Sequence, residues 1–540
     1  LAAISLRHEK VSAPLLGYSR NEMPLEAILR GTLEGIADGL SRLRESPNLG
    51  MVLRLIHPDQ DTGCEILRCL RGIGAHGIGC LELEVHDRRN PPIGPSPDGK
   101  AASKRRGASR RALFSEVLQT PERMLRITIT CPNQEVVEAD SSTANGWRRF
   151  QYSALAESAV IPVREQQVQT YFASHLPPRL AEAPFAEQET YGKLLASYLV
   201  PEDFRKLIET GDPLTLVLDA TTALYPWEMA GFKGYRGTSF FGIDLRLARQ
   251  FRTLLSTPPG LAPEVNHKLR MLLIADPAPN LPCVGARAEA LAVLDALRDV
   301  AELWRRDDRG PPLDLEVTVR LGPTSGPARD ELAPKLTRIE KDYEFARGNV
   351  RPCDPIELLA LLINERYDIV HYAGHGVFDP KGQRLGWVFD KENCILSAAE
   401  IFCVRQVPRL VFANACWSSA LSPEQTQDNE RPRRLQVSLA EAFFARGIQN
   451  YVGAGWPVDD ADAATFARHF YRRALGLPAD ANDKVRPRPA SLGEALAEAR
   501  RALFQAKRPT WGAYQHYGQP GALLLAPPDE DAVGDGGDCH

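Results

Sequence analysis

From residue 268 onward the chain repeats one rhythm, in which short apolar runs alternate with stretches of helical periodicity. KLRMLLIADPA (268–278) precedes a helical 285–306, and DLEVTVRL (314–321) precedes PIELLALLINE (355–365). YDIVHYAG (367–374) precedes SAAEIFCV (397–404), and RLVFANA (409–415) precedes VSLAEAFFARG (437–447). QNYVGAGW (449–456) is followed by helical patterns near 460–475 and 491–507. Runs that are apolar at nearly every position are strands buried on both faces. Such strands, separated by helices, form an α/β fold: a doubly wound, mostly parallel sheet with helices on both faces.

The front of the chain is less regular. Residues 21–45 have helical spacing, and MVLRLIH (51–57), CLELEVHD (80–87) and LRITITC (125–131) read as strands. The stretch 90–111, rich in Pro, Gly, Ser and basic residues, reads as a mobile linker. A strand at 149–155, helical patterns at 164–173 and 189–208, and the buried-type strand LTLVLDA (214–220) follow. A chain of 540 residues exceeds what one core can serve. The expected organisation is an N-terminal α/β region (1–145), a second segment (146–265), the regular α/β core (266–527) and a disordered tail (528–540).

Global properties exclude some partners. A net charge of −4 gives no general attraction to nucleic acid or to an anionic membrane. No apolar stretch approaches the roughly 18 residues of a membrane span, and the first ten residues lack the apolar core of a secretion signal. Ten cysteines without tight framework spacing fit a reducing cytoplasm. Cys64, Cys69, His76, Cys80 and His86 crowd together, but without a CxxC pair they read as packing residues and not as a zinc site. The basic run KRRGASRR (104–111) lacks the interleaved aromatics that stacking on single-stranded nucleic acid requires.

Two of the apolar runs stop at reactive side chains, YDIVHYAGHG at His375 and RLVFANAC at Cys416. Ligands of open α/β sheets bind at the carboxyl ends of the strands. If the two strands are parallel neighbours, a thiol and an imidazole emerge at one edge, the arrangement of an activated nucleophile. Gly374 and Gly376 would let the backbone turn sharply beside the histidine. The Gly376 and Cys416 amides would form an oxyanion hole. The other reading is a small buried cysteine and an unrelated structural histidine, with His371 and His375 forming an HxxxH pair that no following Glu turns into a metal motif. Spacing alone leaves both readings open.

HYAGHG and NAC together resemble the CHAT-domain family of caspase-like cysteine peptidases, in the clan of separases and caspases. Further segments resemble the family in order: LYPWEMA (224–230), MLLIADPAPNLPCVGARAEA (271–290), ILSAAEI (395–401), SLAEAFFARGIQNYVGAGWPVDDADA (438–463), then SLGEALAEARRAL and WGAYQHYG (511–518). The resemblance covers about 190–527 and implies a caspase-like sheet, His375 as general base, Cys416 as nucleophile, a protein substrate, and no metal or organic cofactor. It also implies a setting of bacterial defence or cell death, with a sensor or regulatory partner acting through the N-terminal region. The element Trp456–Val458–Asp460 is similar to one whose acid reads a basic P1 side chain in separases. That makes Asp460 the candidate for the S1 subsite and Asp459 the near alternative; the competing role for Asp460 is a helix N-cap. An acidic S1 would make the runs at Arg431, Arg433 and Arg434 and at 104–111 candidate self-cleavage sites, the alternative being solvated loops. The segment 422–436 is longer and more charged than the family pattern. Other functional readings are a catalytically silent scaffold on the same fold and another thiol acyl transfer, such as ligation.

Overall fold

The computed structural model describes residues 10–14, 52–56, 125–132, 146–156, 159–208, 213–234, 237–252, 265–279, 281–307, 312–324, 327–378, 385–390, 394–397, 400, 407–417, 437, 439–444, 447–478 and 486–527. The chain divides into two compact units, Leu1–Ser109 and Arg110–His540. In the first, the described residues form two parallel strands, β1 (Lys10–Pro14) and β2 (Val52–Ile56).

The second unit is organised by one sheet of fourteen strands. Its N-terminal part starts with an antiparallel meander of β3 (Leu125–Thr130), β4 (Trp147–Ala156) and β5 (Ala159–Gln169). Helices α1 (Thr170–Glu182), α2 (Phe185–Leu199) and α3 (Glu202–Ile208) follow. β6 (Leu214–Leu218) then lies parallel to β3. A separate hairpin of β7 (Gly231–Gly234) and β8 (Gly237–Phe240) leads to β9 (Ala248–Phe251), parallel to β6.

The regular half follows the rhythm of the sequence. β10 (Lys268–Ala275) leads into the long helix α4 (Val284–Arg306), and β11 (Asp314–Pro323) into α5 (Pro327–Asp342). β12 (Val350–Cys353) precedes α6 (Pro355–Asn364), which Asp354 caps by accepting from the Ile356 and Glu357 amides. β13 (Ile369–Phe378), the antiparallel pair β14 (Leu385–Asp390) and β15 (Cys394–Ser397), β16 (Leu410–Trp417) and β17 (Asn450–Ala454) come next. Helices α7 (Asp460–Ala474) and α8 (Leu492–Gln505) precede the closing strand β18 (Tyr514–Tyr517). The strand order is β12-β11-β10-β13-β16-β17-β18-β9-β6-β3-β4-β5, with β14 paired to the end of β13. The doubly wound, mostly parallel α/β sheet expected from the sequence is present. No helix among the described residues is long and apolar enough to cross a membrane.

Three local expectations need correction. The pattern at 164–173 is strand up to Gln169, and α1 begins only at Thr170. Arg164–Gln169 is built of helix formers, but pairing with β4 overrides propensity, with Glu165 opposite Gln151 and Val168 buried opposite Arg148. The helix expected over 189–208 breaks at Val200–Pro201, since a residue before proline resists helical backbone. The short helix expected at 397–404 does not start at Ser397, which ends β15; most of 398–404 lies outside the described residues.

β18 joins the two halves of the sheet. It runs antiparallel to β17 and meets β9 at the single registered pair Tyr517 and Arg249. Arg249 is fully buried and binds the equally buried Glu228 of the LYPWEMA segment through both carboxylate oxygens, at 2.9 and 2.5 Å. It also donates to the Ala223 and Tyr225 carbonyls and lies over the Tyr517 ring. Removing one partner of such a pair leaves an uncompensated buried charge. Glu228→Ala or Arg249→Ala is therefore expected to lower unfolding stability by about 3–5 kcal/mol, read as the shift of the urea midpoint. Loss of less than about 1 kcal/mol would mean that the pair behaves as a solvated surface bridge.

Candidate functional site

β13 and β16 run parallel in register from Ile369 opposite Leu410 to Gly376 opposite Trp417, and His375 stands opposite Cys416. Register partners share a face of the sheet. Ile369 and Ala373 join Leu410 and Phe412 in the core against α4 and α7, whereas Val370 and Tyr372 join Val411 and Ala413 in the core of the opposite face. Positions 371, 375, 414 and 416 therefore belong to the α4–α7 face.

Both strands run further than expected. Pairing with β14, Gly376 opposite Trp387, carries β13 to Phe378. Gly374 and Gly376 consequently do not make the expected turn, and neither has a positive φ. Gly374 provides room instead. A Cβ there would come 2.8 Å from the Tyr372 hydroxyl, which donates to the His375 carbonyl and fixes the backbone beneath the imidazole.

The His375 ring is half-buried, and neither ring nitrogen has a partner at hydrogen-bond geometry among the described residues. Burial lowers its pKa from the ordinary 6.5. Asp276, the nearby Leu281 backbone and Asp460 pull in the opposite direction without cancelling that shift. A neutral imidazole is the form that can accept a proton.

Sequence reasoning passed over Asp276, which follows the end of β10 in the ADPAP stretch. It adopts φ +50, tolerable for an aspartate, and its amide donates to the Ala373 carbonyl two residues before His375. Its buried carboxylate accepts from the Cys283 amide at 2.6 Å and pairs with Arg287. Burial raises its pKa, against the pull of those two donors and of His375.

The acids after Trp456 divide their work. Asp459 is the N-cap of α7, accepting from the Ala461 amide, and it also meets Arg508 at 3.1 Å. Asp462 is buried against Arg508 and Thr510. Asp460 is therefore not the cap. Its exposed carboxylate rests against Gly285 at the N-terminus of α4, where any Cβ would collide with it. Among the described residues it has no ion-pair partner.

Beneath the strand ends lies a second group that the sequence reading did not single out. Glu289 of α4 is 1% exposed and accepts from Asn414 Nδ2 at 2.7 Å. His371 Nε2 lies 3.2 Å from its other oxygen, close but off hydrogen-bond angle. His371 Nδ1 is 3.0 Å from the Tyr471 hydroxyl, and the ring stacks on Phe412. The signals available were the HxxxH spacing and the Asn of NAC, each two or four residues before a candidate reactive residue. Arg431, Arg433, Arg434, the run 104–111, the segment 422–436 and the cluster of Cys64, Cys69, His76, Cys80 and His86 lie outside the described residues.

No curated protein matches the chain significantly. Among solved structures it is similar to a chain of the Saccharomyces cerevisiae separase–securin complex, with 17% identity, 57% of this chain and 16% of that one covered, and a TM-score of 0.29. It is also similar to the Arg-specific cysteine proteinase gingipain R, with 8% identity, coverage of 65% and 76%, and a TM-score of 0.34. A third similarity is to the complex of Porphyromonas gingivalis RgpB pro- and mature domains, with 9% identity, coverage of 66% and 78%, and a TM-score of 0.33. The chain thus spans a small part of the separase-complex chain. The sequence profile of the CHAT domain matches residues 189–519, more than half of the chain and every element described around His375, and this protein belongs to the CHAT domain family.

Proposed function

We propose that this chain is a cysteine endopeptidase that cuts a protein substrate after a basic residue, with His375 and Cys416 as its dyad. The observation that carries this reading is the register of β13 and β16, which sets residue 375 directly opposite residue 416 at the end of two parallel strands. The lowered pKa of His375, whose ring nitrogens have no partner at hydrogen-bond geometry among the described residues, supports a base able to accept a proton. The Asp460 carboxylate, without a cation among the described residues, supports a subsite for an arginine or lysine side chain.

In this mechanism His375 takes the Cys416 thiol proton as sulfur attacks the scissile carbonyl carbon. The Gly376 and Cys416 amides donate to the oxyanion that forms. As the intermediate collapses, the C–N bond breaks and His375 returns the proton to the leaving amine. Water, with His375 again as base, adds to the thioester and releases the carboxylate and the free thiol.

The deciding experiment is labelling by an acyloxymethyl ketone with arginine at P1, mapped by peptide mass spectrometry. Label at Cys416 that is lost in His375→Ala supports the dyad; label that ignores His375 overturns it. Asp460→Asn is expected to lower kcat/KM for basic P1 substrates by about tenfold, between the values of exposed and desolvated charge pairs. An equal fall for a neutral P1 residue would remove Asp460 from S1.

The state of His375 is measurable by itself. In Cys416→Ala protein, NMR titration should place the His375 pKa below 6.5, because burial disfavours the cation. Adding Asp460→Asn should lower it further, since that carboxylate favours the protonated ring. A value above 6.5 would contradict the burial argument.

A further inference from the structure

We propose that Glu289 is a positioning residue for the His375–Cys416 pair, tying β13 and β16 to a single point on α4. The inference rests on the cysteine-peptidase reading and deepens it.

His371 stands four residues before His375 and Asn414 two residues before Cys416, all at positions on the same face of the sheet. Both reach one carboxylate by different oxygens: Asn414 Nδ2 to Oε2 at 2.7 Å, and His371 Nε2 to Oε1 at 3.2 Å. The carboxylate thus spans the two strands whose relative shift decides whether residue 375 meets residue 416. A shift along the strands would stretch one contact while shortening the other. Tyr471 of α7 holds the far nitrogen of His371.

Burial makes this arrangement informative. His371 and Tyr471 are fully buried, Glu289 is 1% exposed and Asn414 4%. Four polar groups in an interior that Phe412, Phe466 and Phe470 otherwise fill cost desolvation that an apolar core would avoid. The hydrogen bonds of Asn414 to Glu289 and of His371 to Tyr471 offer in exchange a defined geometry, with Glu289 and His371 in contact at 3.2 Å but off hydrogen-bond angle. The same helix carries Gly285, against which the Asp460 carboxylate rests, so α4 is a common reference for the strand ends and for that acid.

The test is the pH profile of Cys416 alkylation by iodoacetamide, read at the Cys416 peptide well below each variant's melting temperature, together with kcat and KM on a P1-arginine peptide. In the wild type the profile should depend on His375. Glu289→Gln should move the profile toward the His375→Ala profile and lower kcat by about tenfold to a hundredfold at unchanged KM, the scale of a misplaced reacting group. Adding Asn414→Asp exchanges donor and acceptor across the 2.7 Å contact and should restore both readouts. A purely structural role would lower the melting temperature without moving the profile. A Glu289→Gln profile that superimposes on the wild type overturns the proposal. So does failure of the exchange variant to recover while Glu289→Gln alone is impaired. If Glu289→Gln does not fold, Tyr471→Phe, which removes one oxygen, carries the test, and an unmoved profile in it overturns the proposal. A wild-type profile independent of His375 removes the peptidase reading itself, and this inference with it.

Discussion

The parallel pairing of β13 with β16 tolerates no slip. A shift of one residue would exchange the faces of the sheet and would move position 416 out of register with position 375. The two apolar cores enforce the register from above and below, because Phe412 and Tyr372 each fit only one of them. Tyr372 adds a local constraint by holding the His375 carbonyl from the face opposite the imidazole. The placement of residues 375 and 416 at the strand ends is therefore set by packing that begins several residues earlier.

Much of this was legible in the sequence, for physical reasons. The strands from 268 onward are apolar at successive positions because both faces are covered, and that signal survives without any knowledge of neighbours. The adjacency of positions 375 and 416 was legible because parallel strands end on one edge. The edge strand β5 was not. Its residues from Arg164 to Gln169 favour helix, and only partners on β4 make them a strand. The glycines beside His375 suggested a turn, but the pairing with β14 that keeps them extended comes from a distant segment. Asp276 and Glu289 were quoted within a longer motif but carried no local pattern. Their significance arises from what three separate elements bring to them.

The interior around these strands holds charges in pairs and seldom alone. Asp276 is matched by Arg287, Asp462 by Arg508, and Glu228 by Arg249. Arg500 is an exception: buried with no acid at ion-pair distance among the described residues, it donates to the Tyr514 and Gly242 carbonyls, and burial lowers its pKa to about 10. The Asp460 carboxylate, in contrast, is exposed. It lies beside the N-terminus of α4, where the backbone favours negative charge.

The order of strands has a consequence for how the chain comes to be folded. β18 lies between β17 and β9, yet it is made after every other strand of the sheet. During synthesis from the N-terminus, the strands up to β9 and those from β10 to β17 can form as two separate sheets, each with an open edge where β18 will sit. Unpaired edges of this kind are templates for association with other chains. Two such sheets, if formed before residues 514–517 leave the ribosome, would each expose an edge at the place of β18. In the folded protein the four-residue β18 pairs along β17 and meets β9 at Tyr517, beneath the Arg249 guanidinium.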